Sequence, residues 1–426
     1  MTARTVHVIG AGLAGLSAAV RLTEAGDRVV LYDAAKQAGG RCRSYFDSTL
    51  GLEIDNGNHL LLSGNTSALT YVQLTGGSSA LTTADEAVFD FVDLQTGERW
   101  QLRPNAGRVP WWIFVPSRRV PGTTPVSYLA PARLLGAKPE SRIGDLMVCA
   151  GPLYDRLWKP VLVSALNTEV PEASARLAGT IIKETLGAGG QACRPVVATG
   201  GLSAAFVDPA LAHLKRHGAE IRFGERLRAL ELGNGRIERL SFASGPVEPG
   251  SDDAIVLAVP PWVAADLLPE LNAPDEYRGI LNVHFRREPP AGQPLLVGLI
   301  GGVSEWLFAY PDRLSVTVSA GDRLFDTDRE ELARTIWSEV ASATGLQGEL
   351  PPWQVVKEKR ATFAATPRQD GRRPPAFTNY PNLVLAGDWT QTGLPATIEG
   401  AIRSGENAAG VLHRGAIGVL RSVSKA

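Results

Sequence analysis

Cysteine is scarce. The 426 residues contain three, Cys42, Cys149 and Cys193, all far apart. They form no C-x-x-C pair and no even-numbered framework, which fits a reducing compartment and argues against a zinc site. Charge of one sign is also missing: the formal net charge is −1. Nucleic-acid binding needs a basic face, so no nucleic-acid partner is expected. No uninterrupted apolar run reaches the ~18 residues of a spanning helix. The start, MTARTVHVIGAG, has no apolar region followed by a small-residue cleavage site. The expected location is cytoplasmic, either free or peripheral on the inner membrane face.

Reactive constellations are missing too. The histidines are His7, His59, His213, His217, His284 and His413, and no H-E-x-x-H occurs. His213 and His217 are at i, i+4, but no neighbour in sequence supplies a third ligand. They read as a solvated helix face, and no metal is expected. No G-x-S-x-G elbow is present. Any chemistry must then come from a cofactor.

What is present is ordinary globular composition, 44% hydrophobic and 20% charged. The length suggests two to three domains of roughly 150 residues. Residues 5–9 (TVHVI) read as a buried strand. Gly10-Ala11-Gly12-Leu13-Ala14-Gly15 follows, then a helical stretch ending at Gly26, then the strand 28–32 (RVVLY) closed by Asp33. In this order the glycines have separate jobs. Gly10 permits a tight turn, Gly12 lets the backbone approach a pyrophosphate, and Gly15 lets helix and strand pack closely. The helix N-terminus offers free N–H groups to phosphate. Asp33 suits ribose hydroxyls and disfavours a 2′-phosphate, since like charges ~4 Å apart cost about 4 kcal/mol at an effective dielectric of ~20. A second match, Gly187–Ala192, follows a helical stretch and opens none, so it reads as a loop.

The glycine turn alone does not choose between NAD and FAD. Gly39-Gly40-Arg41 can clamp a pyrophosphate from the other side. The strand 52–55 (LEID) then ends in Asn56-Gly57-Asn58-His59. Near the far end, the strand 382–386 (NLVLA) leads into Gly387-Asp388-Trp389, and Pro395–Gly405 opens another helix, running to about Leu412. Such a helix start can stabilise negative charge on a reduced flavin, and Asp388 can bind ribityl hydroxyls.

The G-x-G-x-x-G…D…GGR front and the AGD…EGAxxSG back resemble the flavin-containing amine oxidase and phytoene desaturase superfamily along the whole chain. Three stretches, IDNGNHLLLSG (54–64), LWKPVLVSALNTEVPEASA (157–175) and GDWTQTGLPATIEGAIRSG (387–405), are similar to the hydroxysqualene dehydroxylases, squalene-associated FAD-dependent desaturases of bacterial hopanoid synthesis. The resemblance implies an α/β fold: a Rossmann-like FAD-binding domain with a parallel sheet, and an inserted α+β substrate-binding domain. The expected division is 1–80, 200–270 and 375–420 for FAD, with 81–199 and 271–374 for substrate. The expected FAD contacts are Gly10, Gly12, Leu13, Ala14, Gly15, Asp33, Gly40, Arg41, Gly57, Asn58, His59, Leu227, Gly387, Asp388, Thr397 and Ile398. No cysteine lies near Gly387–Gly405, so the flavin is expected to be non-covalent.

The implied reaction is reductive dehydroxylation of hydroxysqualene, a long isoprenoid, to squalene. Loss of water from the allylic alcohol gives a cation that takes hydride from reduced FAD. The protein must hold the hydrocarbon, donate a proton to the leaving oxygen and exclude water. His59 is the first candidate for the acid, with Asn58 and Glu399 second; a structural hydrogen bond is the competing role for His59. No second nucleotide motif has proper context, so a separate electron donor is expected. The alternatives are a carotenoid-type desaturase, an amine oxidase and a non-catalytic flavin-binding redox sensor.

In the middle of the chain, 89–102 reads as a hairpin turning at Thr96-Gly97, with strands at 280–286, 295–301 and 306–320, helical pieces over 141–186 and a helix over 202–217. The stretch 109–120 (VPWWIFVPSRRV) sets Trp111, Trp112 and Phe114 beside Arg118 and Arg119. That combination suits a membrane surface, or else a core strand with a basic turn.

Overall fold

In the computed structural model, residues 4–423 are described. The opening residues 1–3 of the stretch read above for a signal peptide lie outside them. Apolar runs such as Val6–Ile9 and Val29–Tyr32 are buried on both faces, which is the pattern of a covered parallel sheet. They form a five-stranded sheet, all parallel, in the order Glu220–Phe223, Arg28–Asp33, Thr5–Ile9, Ala254–Leu257, Leu383–Leu385. One face carries Val6, Val8, Val29 and Leu31 against the helices Leu13–Glu24, Asp208–Arg216 and Ile398–Val423. The other carries Val30, Tyr32 and Ile255 against a three-stranded antiparallel sheet through Ile237, Leu240 and Phe242. Tyr32 stacks on Phe242 at 4.5 Å.

A second, seven-stranded mixed sheet runs Trp353–Phe363, Tyr277–Phe285, Leu314–Val318, Trp306–Ala309, Leu296–Ile300, Phe89–Asp93, Arg99–Leu102. Leu281, Val283, Phe285, Val316 and Val318 pack on the helix Arg329–Thr344 through Leu332, Ile336, Trp337 and Val340. Phe91, Leu296, Ile300, Trp306, Phe308 and Tyr310 fill the opposite face, together with Leu157, Trp158, Leu162 and Leu166 of the helical segment. Both faces are therefore covered, and the polar groups discussed below are exceptions on the second face.

Several local expectations change. Residues 306–320 are a hairpin rather than one strand, turning at Pro311-Asp312 because proline cannot donate to a ladder. The stretch 202–217 starts with a π-turn over Ser203–Val207 before the α-helix. Residues 111–118 form two short 3-10 turns separated by Val115, not a strand, with prolines at their starts. The last helix continues past Leu412 to Val423. The second glycine match lies in two 3-10 turns around Gly189 and opens no α-helix.

Candidate active site

The glycine turn joins the first strand to the first helix. Gly10 has φ 108°, its N–H donates to the Tyr32 carbonyl at 2.7 Å, and a Cβ there would lie 2.4 Å from the Ala258 oxygen. A Cβ on Gly15 would lie 1.8 Å from the Gly10 oxygen, so helix and turn touch backbone to backbone. Gly12, the N-cap, is different: nothing lies within 4 Å of the position its Cβ would take. The helix behind it has no acidic residue in its first turn, so the N–H groups around Leu13 and Ala14 present undiminished positive potential. Gly405 meets this helix closely, its would-be Cβ 2.3 Å from the Ala14 oxygen. The open side of Gly12 and the bare helix start fit a dinucleotide pyrophosphate.

Asp33 is half-buried at the strand end. Its Oδ2 accepts from Ala11 N at 2.7 Å and its Oδ1 from Ala35 N at 2.7 Å. The carboxylate thus braces the turn, with lone pairs left for ribose. Glu225 N donates to the Asp33 carbonyl at 2.8 Å, which brings the buried Leu227 up beside this corner.

Gly39 N donates to the Ala11 carbonyl at 2.8 Å, and Gly40, with φ 58°, would set a Cβ 3.5 Å from the Gly12 Cα. The second glycine pair therefore lies directly on the first. Arg41 reaches across to the other end of the chain. Its Nη2 donates to both oxygens of Asp388, at 2.8 and 2.7 Å, and its Nη1 to the Ala361 carbonyl. The separate assignments of Arg41 to pyrophosphate and Asp388 to ribityl hydroxyls become one unit: the carboxylate is buried, the guanidinium half-exposed with donors to spare.

The C-terminal segment is equally constrained. Gly387 has φ 152°, its N–H donates to Ser404 Oγ at 2.8 Å, and a Cβ there would lie 2.3 Å from Trp389 Nε1. Thr397 caps the last helix, its Oγ1 accepting from Gly400 N at 3.0 Å, and Ile398 is buried at the first helical position. Arg373, which sequence reading missed, is buried and donates to Thr392 Oγ1 at 2.8 Å and to the carbonyls of Asp388 and Thr390. It holds the 388–392 loop in place. Glu399 is not free to act as an acid. Its Oε1 accepts from Ser67 N at 3.1 Å and its Oε2 from Ala68 N at 2.8 Å, with Arg403 on Oε1 as well. It caps the helix Thr66–Thr75, whose own N-cap Asn65 turns its side chain back to Leu62 N and gives the helix no bond.

The segment 55–59 bridges the two sheets. Asp55 is buried, accepting from Ser44 Oγ at 2.6 Å and Leu202 N at 2.8 Å. A Cβ on Gly57 would lie 3.1 Å from Asn282 Nδ2. The Asn58 amide is fully engaged: Nδ2 donates to Thr317 Oγ1 at 3.0 Å and Asn282 Oδ1 at 3.3 Å, and Oδ1 accepts from Tyr310 OH at 3.3 Å. The Asn58 side chain is thereby held by three partners, and a carboxamide carries no proton of acid strength. His59 is half-buried, and no hydrogen bond joins its ring to the described residues. Burial, and then the nearby Arg41 cation, lower its pKa to about 4. At neutral pH the ring is neutral, an N–H donor or a lone pair rather than an imidazolium acid.

Asn282, Thr317 and Tyr310 were not legible as site residues. Asn282 and Thr317 are polar residues within largely apolar strands, and Tyr310 stands in the turn after Ala309; none carries a local motif. Glu305 was missed as well. Burial, despite a 2.7 Å bond from Ser319 N, pushes its pKa to about 7.

Residues 13–413 match the flavin-containing amine oxidoreductase family. The chain belongs to that family. It is an FAD-dependent oxidoreductase, and the open Gly12 turn and helix start described above fit that cofactor. Within the family, the chain is 55% identical to a hydroxysqualene dehydroxylase of Rhodopseudomonas palustris, over 95% of this chain and 97% of that protein. A hydroxysqualene dehydroxylase of Sinorhizobium fredii is 53% identical with the same coverage. A 15-cis-phytoene desaturase of an Oncidium hybrid is 24% identical over 94% of this chain and 76% of that protein. The fold is shared with solved structures, among them an oxidoreductase from Methanosarcina mazei with a TM-score of 0.70 at 16% identity, covering 94% and 99% of the two chains.

Proposed function

We propose that this oxidoreductase converts hydroxysqualene to squalene, replacing the hydroxyl by hydrogen and releasing water. The observation that carries the reading is the 55% identity to a hydroxysqualene dehydroxylase over 95% of the chain, substrate-domain strands included. The phytoene-desaturase alternative has 24% identity in its support. The test is conversion of hydroxysqualene by reduced holoprotein.

Reduced FAD supplies the hydride. The chain's own residues would do the rest. The apolar layer between Phe91, Trp306, Phe308 and Tyr310 of the second sheet and Leu157, Trp158 and Leu162 of the helical segment would open to hold the hydrocarbon and exclude water. Phe308 and Tyr310 lie nearly parallel, 6.4 Å apart; Arg313 stacks on Tyr310 at 4.0 Å, so the Phe308 π-face would be the one to stabilise an allylic cation. Asn58, tied to Tyr310 and Asn282, would fix the loop that presents His59. Neutral His59, uncommitted within the chain, would hydrogen-bond the leaving oxygen and relay to it the proton that reduced FAD would release beside the hydride, so that the oxygen leaves as water. The electrons would come from a separate donor, as the 187–192 turns open no helix for a second nucleotide.

We further read the 109–148 region as a membrane-surface contact. Seven of the eleven exposed large apolar side chains among the described residues lie there: Val109, Trp111, Phe114, Val126, Leu129, Leu135 and Val148. From 99 to 139 the sequence has no carboxylate, while Arg108, Arg118, Arg119, Arg133 and Lys138 add cations. Apolar side chains among cations suit anionic headgroups. Trp112 leaves the contact set: it is buried against Tyr128, ring centroids 5.2 Å apart. Arg118 stacks on Trp111 at 4.9 Å, and Arg119 donates to the Ile113 carbonyl at 2.7 Å. No described helix is long and apolar enough to cross a membrane, so the contact would be peripheral. A dissolved isoprenoid would then reach the protein from the lipid phase.

A further inference from the structure

Away from the cofactor, Glu24 at the end of the first helix faces His213 and His217. The histidines are one turn apart on the 208–216 helix and its cap, so they share a face. By sequence they had no third ligand; the fold brings one from another helix. His213 Nε2 lies 3.0 Å and His217 Nε2 3.4 Å from Glu24 Oε1, and the three atoms all lie within 4.8 Å of one another. The two rings stack at 4.2 Å.

The hydrogen bonding of His217 is decisive. Its Nδ1 is 2.8 Å from the His213 carbonyl oxygen. A carbonyl only accepts, so Nδ1 carries the proton. In the neutral ring Nε2 is then a bare lone pair facing a carboxylate oxygen. Two acceptors so placed need a positive centre between them, an additional proton or a metal ion. An N–H to a backbone carbonyl is also the usual orienting bond of a metal-bound imidazole. His213 Nε2 is buried and has no hydrogen bond of good geometry, although Glu24 is close. A tetrahedral shell with bonds of about 2.0–2.1 Å has edges of about 3.3 Å, near the two separations from Glu24; the stacked rings would turn out of parallel for both Nε2 lone pairs to meet one ion.

We propose that Glu24, His213 and His217 bind one divalent transition-metal ion of the zinc class, with water completing the shell. Two imidazoles and one carboxylate favour such an ion over calcium or magnesium. The site is structural: it ties the C-terminal end of the helix that starts at the pyrophosphate turn to the 208–216 helix.

The experiment is Co2+ titration of the FAD-loaded protein, followed by absorption and by displacement with Zn2+. One equivalent should bind without a thiolate charge-transfer band, and Zn2+ should raise Tm. His217→Ala and Glu24→Gln change half-exposed side chains, with FAD content reporting intact folding. Each should weaken binding at least about tenfold and abolish the Tm shift. Absent stoichiometric binding, or binding unchanged in both variants, overturns the proposal.

Discussion

The guanidinium of Arg41 lies on both carboxylate oxygens of Asp388, at 2.8 and 2.7 Å, and so joins two cofactor motifs 347 residues apart. With the pair so joined, neither residue is expected to serve FAD alone. Removing Arg41 leaves a buried carboxylate unpaired; removing Asp388 frees the cation to swing away. Each of Arg41→Ala and Asp388→Asn should weaken FAD binding at least about tenfold, roughly 1.4 kcal/mol. The double variant should lose little more than the worse single one. FAD titration of deflavinated protein measures all three. Additive losses would mean that the two residues serve the cofactor independently.

The glycine turn makes a sharper distinction. Gly15→Ala drives a Cβ into the Gly10 oxygen, a clash that should cost about 3 kcal/mol or more and lower Tm steeply. Gly12→Ala meets no protein atom and should fold with nearly unchanged Tm as apoprotein. Its methyl would instead stand where the pyrophosphate approaches, and FAD content should fall. Thermal melts and flavin absorbance on the two variants separate the outcomes; normal FAD content in Gly12→Ala would remove Gly12 from the site.

Glu305 gives a pH signature. Its carboxyl has an ordinary value of 4.5 and a folded value of about 7. Between these, the folded state holds a proton that the unfolded state has released. The contribution to stability is therefore complete below pH 4.5 and is lost as pH rises through 7, by about 3 kcal/mol at most. Glu305→Gln should flatten this slope and be more stable than the parent at pH 8. Denaturant melts from pH 5 to 8.5 check it, and parallel profiles would show that Glu305 does not carry the dependence.

The exposed apolar and cationic side chains of 109–148 predict cosedimentation with anionic vesicles and not with neutral ones. Trp111→Ala with Phe114→Ala should reduce the bound fraction several-fold, and salt should reduce it further. Trp112→Ala should instead lower Tm, because that ring is buried on Tyr128. Equal partition of the double variant would end the membrane reading.

Much of this was readable from the sequence where chemistry restricts residue type. Gly10, Gly15, Gly40 and Gly387 are required by left-handed φ or backbone contact, and Asp33 by its place at a strand end. The helix 329–344 and strand 353–363 were overlooked, although Asp328 caps that helix and Leu332, Ile336 and Val340 repeat at i, i+4. What no local pattern could show was pairing across the chain. Arg41 with Asp388, Asn58 with Asn282, Thr317 and Tyr310, and Glu24 with two histidines each depend on two domains or two helices meeting. Glu399 misled for the same reason: its partners, the N–H groups of Ser67 and Ala68, are set by packing of helix on helix.

Protein holding reduced FAD, incubated anaerobically with hydroxysqualene, should form one squalene per flavin reoxidised, identified by mass spectrometry. Unchanged hydroxysqualene with the flavin still reduced, or dehydrogenation of phytoene by the oxidised protein, would contradict it.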